Sequence, residues 1–259
     1  RRDDGPSHAP IGTPPQPTLR PPPIPPADME RPVQKQVKVP LRRKVMIADR
    51  IEAEVMGEEE FNTPWVAVLT HPHPRFGGDM DNNVVVSCVA ALQELSITTI
   101  RFNFSGVGRS TGKTSWSGNA ERDDVREVLR YAQGLREQVV LVAYSFGAAV
   151  ALSVSSEFSL AAIVAIGYPK GFLSSFLFSS LYVDPGRAPK LFLLGDMDNF
   201  ASVSALQEYV DRTVSPPKEL RVLRPHVDHF MFRREHLVTD EIDQWLTELN
   251  IGVRRAASL

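Results

Sequence analysis

The most constraining feature of the sequence is an apolar strand that runs directly into a helix with a serine at the joint. The strand is predicted over Val139–Ala143, the serine is Ser145, and the predicted helix begins at Phe146. The positions two before and two after the serine are Ala143 and Gly147, which are small, as a tight strand-to-helix turn requires. Ser145 is therefore either an exposed nucleophile at the sheet edge or a helix-capping serine.

Strand and helix patterns alternate from about residue 40 onwards. Continuous apolar runs are typical of strands buried on both faces, and this alternation predicts a doubly wound, mostly parallel α/β sheet. The pattern at Ile51–Val55 alternates apolar and polar residues, which predicts a half-exposed edge strand. The stretch after Ile166 has room for one or two helices but not for a large lid domain. The predicted strands are 45–47, 51–55, 65–69, 98–104, 139–143, 161–166, 191–194 and 220–223, and the predicted helices are 83–95, 119–133, 146–157, 171–182, 202–213 and 234–249.

The first 39 residues differ in composition from the rest. Twelve of the 21 prolines fall within residues 1–40, and such a segment has little to bury and cannot form a regular hydrogen-bond ladder. We therefore expect a disordered proline-rich tail over residues 1–39 and one α/β domain over residues 40–259. A ligand for a proline-binding module is the alternative interpretation of the tail.

Composition argues against several classes of function. A chain of 259 residues, 42% of them hydrophobic, can bury one sizeable core. A net charge of -2 offers no electrostatic footprint for nucleic acid, and no apolar run reaches the roughly 18 residues that a membrane span requires. Cys88 has no intramolecular disulfide partner. We expect a cytoplasmic location, with a removed targeting segment as the open alternative; the oligomeric state is not predicted.

A serine nucleophile needs a base to take its proton and an acid to orient that base. In a nucleophile-elbow site the order along the chain is serine, acid, histidine. The predicted strand at 191–194 ends in a loop with Asp196 and Asp198, and the last predicted strand leads to His226 and His229. The spacing from the preceding glycine favours Asp198, and Asp196 is expected to brace the loop. His229 is favoured because it opens the final aromatic segment.

The loop after the predicted strand at 65–69 is expected to supply a backbone N–H to an oxyanion, and a second N–H comes from Phe146. Two histidines alternate with two prolines at residues 71–74. Proline has no N–H, so only His71 and His73 can donate, and His73 is favoured because it lies further from the strand end. The two histidines also fit a metal pair, although no third ligand stands at a characteristic spacing.

A glycine-rich segment follows the predicted strand at 98–104. Gly106 and Gly108 invite comparison with a dinucleotide-binding loop, but Thr111 stands where the third glycine is required. A turn between strand and helix is the better interpretation, and no cofactor is implied.

Together these motifs resemble the small, single-domain, lidless α/β-hydrolases related to dienelactone hydrolases and prolyl-oligopeptidase-type catalytic domains. The resemblance covers residues from about 44 to 249. Similar proteins often have Arg in place of Ser105 and Gly in place of Ala143, and dienelactone hydrolases have a cysteine in place of Ser145, so their lactone chemistry is not implied. The motifs, in chain order, are 71–74 with Gly77 and Gly78, 101–104 with Gly106, Gly108, Ser110 and Gly112, 144–147, 195–198 and 228–230.

The resemblance and the motifs together predict a serine hydrolase without a cofactor or metal. Ser145 is the expected nucleophile, His229 the base, Asp198 the acid, and the His73 and Phe146 amides the oxyanion donors. The expected substrate is a small-molecule acyl compound: an ester, a thioester or an amide cleaved through an acyl-enzyme. The alternatives are a non-catalytic binding protein of the same fold and an interaction protein recruited through its proline-rich tail.

Overall fold

The fold is built on one sheet of eight strands. The computed structural model describes residues 41–115, 117–171 and 179–254. The strands, in chain order, are β1 Arg42–Ile47, β2 Ile51–Met56, β3 Trp65–Thr70, β4 Thr98–Phe102, β5 Gln138–Tyr144, β6 Ala162–Ile166, β7 Lys190–Gly195 and β8 Lys218–Leu223.

Five α-helices lie within the described residues: α1 Asn83–Glu94, α2 Asn119–Leu135, α3 Phe146–Ser155, α4 Val203–Thr213 and α5 Glu235–Glu248. Short 3₁₀ helices occur at Pro74–Phe76 and Ser179–Leu181. All eight predicted strands and five of the six predicted helices are present, with ends shifted by a few residues. The remaining predicted helix, 171–182, lies largely outside the described residues. The predicted tail over 1–39 lies entirely outside them.

The strand order in the sheet is β1-β2-β4-β3-β5-β6-β7-β8. The strands from β3 to β8 pair in parallel, whereas β1 pairs antiparallel with β2, and β2 antiparallel with β4. This confirms the predicted doubly wound, mostly parallel sheet. Strand β5 lies near the middle, between β3 and β6, so the residues that follow it emerge at the centre of the carboxyl edge of the sheet.

Two hydrophobic cores cover the two faces of the sheet. Because neighbouring residues of a strand point to opposite faces, Val139 and Leu141 of β5 lie in one core and Val140 and Val142 in the other. The first core also contains buried residues of α2, α3 and α4, and the second contains those of α1 and α5. Helices on both faces explain why central strands such as β5 and β6 are apolar along nearly their whole length.

The prediction that Ile51–Val55 forms a half-exposed edge strand is wrong. Strand β2 lies between β1 and β4, and all six of its residues are buried. The carboxylate of Glu54 accepts hydrogen bonds from Arg101 at 2.7 and 2.9 Å, and that of Glu52 accepts one from Asn103 at 2.9 Å. The polar positions of the alternating pattern therefore face buried partners rather than water. The edge strand on this side of the sheet is β1.

The glycine-rich segment after β4 forms a tight turn. The N–H of Val107 donates to the carbonyl of Phe104 at 3.0 Å, and the N–H of Ser110 donates to that of Val107 at 2.9 Å. The buried carboxylate of Glu52 accepts a hydrogen bond from the N–H of Arg109 at 2.7 Å. These contacts confirm the turn interpretation of the segment.

Over the part of the chain that the structure describes, no helix combines the length and the apolar character needed to cross a membrane.

Candidate active site

Ser145 occupies the turn between β5 and α3. Its backbone has φ 56° and ψ −125°, and its N–H donates to the carbonyl of Ile166 on the neighbouring strand at 2.8 Å. A non-glycine residue in this region of backbone space costs on the order of 1–3 kcal/mol. The surrounding sheet holds the turn in place, and the strained backbone presents the side chain at the sheet edge.

Two glycines provide the space that this turn needs. A Cβ on Gly147 would lie 2.4 Å from the carbonyl oxygen of His71 and 2.5 Å from Oγ1 of Thr70, so no larger residue fits there. Gly167, with φ 55°, follows β6, and a Cβ on it would lie 3.2 Å from Cε1 of His229. The need for glycine at position 147 is predicted from the turn pattern in the sequence. The need for glycine at position 167 depends on a histidine from a distant loop.

Ser145, His229 and Asp198 form a continuous hydrogen-bonded series. Oγ of Ser145 lies 2.8 Å from Nε2 of His229, and Nδ1 of His229 lies 2.7 Å from Oδ2 of Asp198. An ionised carboxylate only accepts hydrogen bonds, so Nδ1 carries the proton and Nε2 is left to accept from the serine hydroxyl. Ser145 and His229 are 8% and 4% exposed, and the Asp198 side chain is fully buried. The structure thus brings the three predicted residues together.

The second oxygen of Asp198 is held by the backbone of its own loop. Oδ1 accepts hydrogen bonds from the N–H groups of Phe200 at 2.7 Å and Ala201 at 3.0 Å. The N–H of Asp198 in turn donates to the carbonyl of Gly195 at 3.2 Å. These bonds fix the plane of the carboxylate, and therefore the direction from which it meets the imidazole.

Asp196 contacts backbone rather than the imidazole. Its carboxylate accepts hydrogen bonds from the N–H groups of Val227 at 2.8 Å and His226 at 3.3 Å. These backbone hydrogen bonds, above all the one from Val227, lower the pKa of the Asp196 carboxyl below its ordinary value. The expected bracing role of Asp196 matches these contacts, because they tie the loop after β7 to the loop that carries His229.

Tyr144, the last residue of β5, contacts the loop that carries His229. Its hydroxyl donates to the backbone carbonyl of His229 at 2.7 Å, and the two rings stack with centroids 5.8 Å apart. Burial raises the pKa of the Tyr144 hydroxyl, so it remains a neutral donor. The sequence contains no signal for this contact, because 85 residues separate the two.

His71 braces the loop that follows β3. Its Nδ1 lies 2.7 Å from the carbonyl of Pro72, and its Nε2 accepts from the N–H of Phe104 at 3.1 Å. The ring is completely buried, and burial lowers its pKa to about 4, so it is neutral at neutral pH. Both ring nitrogens are thus engaged by backbone, which argues against a metal pair with His73. The described residues contain no cluster of three or more side chains suited to a metal ion.

His73 lies at the start of the 3₁₀ turn Pro74–Phe76, beside the beginning of α3. Its Nδ1 accepts from the N–H of Arg75 at 3.1 Å, and its ring centroid lies 4.5 Å from that of Phe146. Burial lowers the pKa of His73 to about 4. The two residues predicted to supply oxyanion amides are therefore neighbours, and both line the cleft that contains Ser145.

The cleft above Ser145 has a volume of about 540 Å³, including the part that opens to solvent. Sequence reasoning did not identify most of its walls, which come from loops distant in the chain. The apolar and aromatic lining residues are Pro72, Phe76, Tyr144, Phe146, Pro169, Phe200 and Phe230, and the polar ones are His73, Asn82, Ser145 and His229.

Comparison with known proteins identifies the family of the chain. The model of the alpha/beta hydrolase family matches residues 67–254. An uncharacterised protein of Rickettsia prowazekii is 28% identical over 204 residues, which cover 76% of this chain and 84% of that protein. The structure of an alpha-beta serine hydrolase homologue from Coxiella burnetii has 27% identity and a TM-score of 0.69, covering 80% of this chain and 97% of that one. A serine hydrolase without a lid from Xanthomonas campestris has 26% identity and a TM-score of 0.69, covering 82% and 95%. The chain therefore belongs to the alpha/beta hydrolase family and is a hydrolase by class.

Proposed function

We propose that the protein is a serine hydrolase that cleaves a small-molecule carboxylic ester, thioester or amide through an acyl-enzyme. Esters are favoured over amides because an ester carbonyl carbon is the easier target. The observation that carries the proposal is the hydrogen-bonded series from Ser145 through His229 to Asp198, at the base of an apolar cleft.

In the first step, Oγ of Ser145 attacks the substrate carbonyl carbon while Nε2 of His229 takes the hydroxyl proton. Asp198 keeps the imidazole in the tautomer that can accept this proton and stabilises the resulting positive charge. The tetrahedral intermediate then collapses, the proton on His229 passes to the leaving oxygen, sulfur or nitrogen, and the acyl group remains on Ser145.

The negative charge on the carbonyl oxygen needs donors that are already in place. The N–H of Phe146 is the first in α3, where the helix dipole favours a negative charge, and the N–H of His73 follows Pro72 in the neighbouring loop. His71, whose nitrogens both contact backbone, holds this loop against the end of β4. We assign the two oxyanion donors to these amides.

In the second step, water takes the place of the leaving group. His229 removes a proton from the water, the hydroxide attacks the acyl carbon, and the collapse of the second intermediate returns the proton to Ser145 and releases the acid. The serine hydrolase relatives from Coxiella burnetii and Xanthomonas campestris support this chemistry.

Labelling with a fluorophosphonate probe, followed by mass spectrometry of the labelled peptide, tests the proposal. We expect covalent modification of Ser145 and hydrolysis of p-nitrophenyl esters, both lost in Ser145→Ala. Ser153→Ala is a matched control, because Ser153 also lies on α3 and its hydroxyl donates to the carbonyl of Val150, away from the candidate site residues. A wild-type protein that neither reacts with the probe nor cleaves any ester, thioester or amide would instead be a non-catalytic binding protein of this fold.

A further inference from the structure

The cleft beside Ser145 has a wall of three phenylalanine rings. The ring of Phe200 lies 4.4 Å from the imidazole of His229, and the rings of Phe76 and Phe230 each lie 6.1 Å from that of Phe200, edge to face. Phe76 and Phe230 are 62% and 51% exposed. An aromatic surface therefore runs from the candidate base out to the mouth of the cleft on both sides.

The described residues of the same cleft offer no counter-charge to a charged substrate. None of its described lining residues is an aspartate, glutamate, lysine or arginine. His73 is neutral at neutral pH, because burial lowers its pKa to about 4. A charged acyl group entering this space loses hydration without gaining an ionic partner, which is strongly unfavourable.

Among the described lining residues, two polar side chains remain once the candidate catalytic residues and His73 are set aside: Tyr144 and Asn82. The hydroxyl of Tyr144 is committed to the carbonyl of His229. Asn82 caps α1 through Oδ1, which accepts from the N–H of Val84 at 3.0 Å. With its oxygen fixed by this bond, the amide of Asn82 has its Nδ2 left as a hydrogen-bond donor.

We propose that the preferred substrates are esters of uncharged aromatic carboxylic acids. The aromatic ring of the acyl group packs against Phe76, Phe200 and Phe230, and Asn82 donates a hydrogen bond to an oxygen substituent on that ring. Aromatic rings gain from edge-to-face and offset contacts beyond the area that they bury. This inference rests on the proposed function and deepens it by naming the acyl group.

The test compares kcat/KM for the methyl esters of benzoic, 4-methoxybenzoic and hexanoic acids and for the anionic monomethyl ester of terephthalic acid. We expect benzoate to exceed hexanoate by about tenfold and the anionic ester by about a hundredfold. Phe76→Leu should remove most of the aromatic preference while hexanoate is still cleaved. Phe232→Leu is the matched control, because Phe232 is 68% exposed but does not line the cleft.

The Asn82 contact is tested with Asn82→Asp and Asn82→Ser, since both new side chains still cap a helix and neither keeps the amide donor. In each variant the advantage of 4-methoxybenzoate over benzoate, about tenfold in the wild type, should disappear. Equal cleavage of hexanoate and benzoate by the wild type would overturn the aromatic assignment while leaving the serine hydrolase proposal in place. A failure of fluorophosphonate to label Ser145 would overturn the proposed function and this inference with it.

Discussion

Asp198 meets His229 through one carboxylate oxygen, Oδ2, which lies 2.7 Å from Nδ1 of the imidazole, while its other oxygen is held by two backbone N–H groups. The carboxylate is thus fixed from both sides, and the imidazole has one orientation in which Nε2 reaches Ser145 at 2.8 Å. Asp196, two residues earlier, contacts only backbone in the described residues.

Exchanging each aspartate for asparagine separates these two roles. Asp198→Asn should lower kcat for an ester by up to about 10⁴-fold, because the amide no longer holds the imidazole in the useful tautomer. Asp196→Asn should cost far less, since its side-chain oxygen still accepts from the N–H of Val227. Initial rates near pH 8 check both. An inactive Asp196→Asn beside a nearly normal Asp198→Asn would exchange the two assignments.

The strained backbone of Ser145 predicts opposite effects of one substitution on stability and on activity. Ser145→Gly should abolish ester hydrolysis, by about 10³-fold or more. It should also be about 1 kcal/mol more stable than Ser145→Ala, because glycine adopts φ 56° without the steric cost. Urea unfolding of the two inactive variants measures the difference. A glycine variant less stable than the alanine variant would contradict the inferred strain.

The neutral, buried His71 predicts a loss of stability on mild acidification. Its folded pKa, about 4, is below the ordinary value of 6.5, so the unfolded chain binds the proton more readily between these pH values. The free energy of unfolding should therefore fall as the pH drops from 6.5 towards 4. Replacement by asparagine removes this contribution, so the stability advantage of the wild type over His71→Asn should shrink by about 2–3 kcal/mol between pH 7.5 and 4.5. An advantage that does not change with pH would show that His71 titrates normally.

The buried pair of Glu54 and Arg101 predicts a large cost for a small change in β2. Glu54→Gln leaves the Arg101 charge in a site where its side chain is 6% exposed, with only the exposed Asp81 as a remaining carboxylate partner. We expect a loss of about 2–4 kcal/mol in the free energy of unfolding. Glu58→Gln, which disrupts the partly exposed pair with Arg43, is the control and should cost less than about 1 kcal/mol. Equal effects of the two variants would contradict the importance of burial.

The sequence alone was enough to predict the order of strands and helices, the serine elbow and the chain order of the candidate site residues. These features are local. Whether a residue such as Gly147 fits a turn, or a run such as Val139–Ala143 suits a buried strand, depends on neighbours a few residues away. The G-x-x-D spacing that favoured Asp198 is of the same kind, because it reflects the length of one turn after one strand.

The tertiary structure alone decided which side chains share a buried environment. The alternating pattern of β2 predicted an exposed face, but Glu54 meets Arg101, 47 residues away, inside the protein. In the same way, Tyr144 supports the histidine loop and Phe200 forms the wall of the cleft beside His229. Such contacts depend on how distant loops pack at the carboxyl edge of the sheet, and no local periodicity or turn preference encodes that packing.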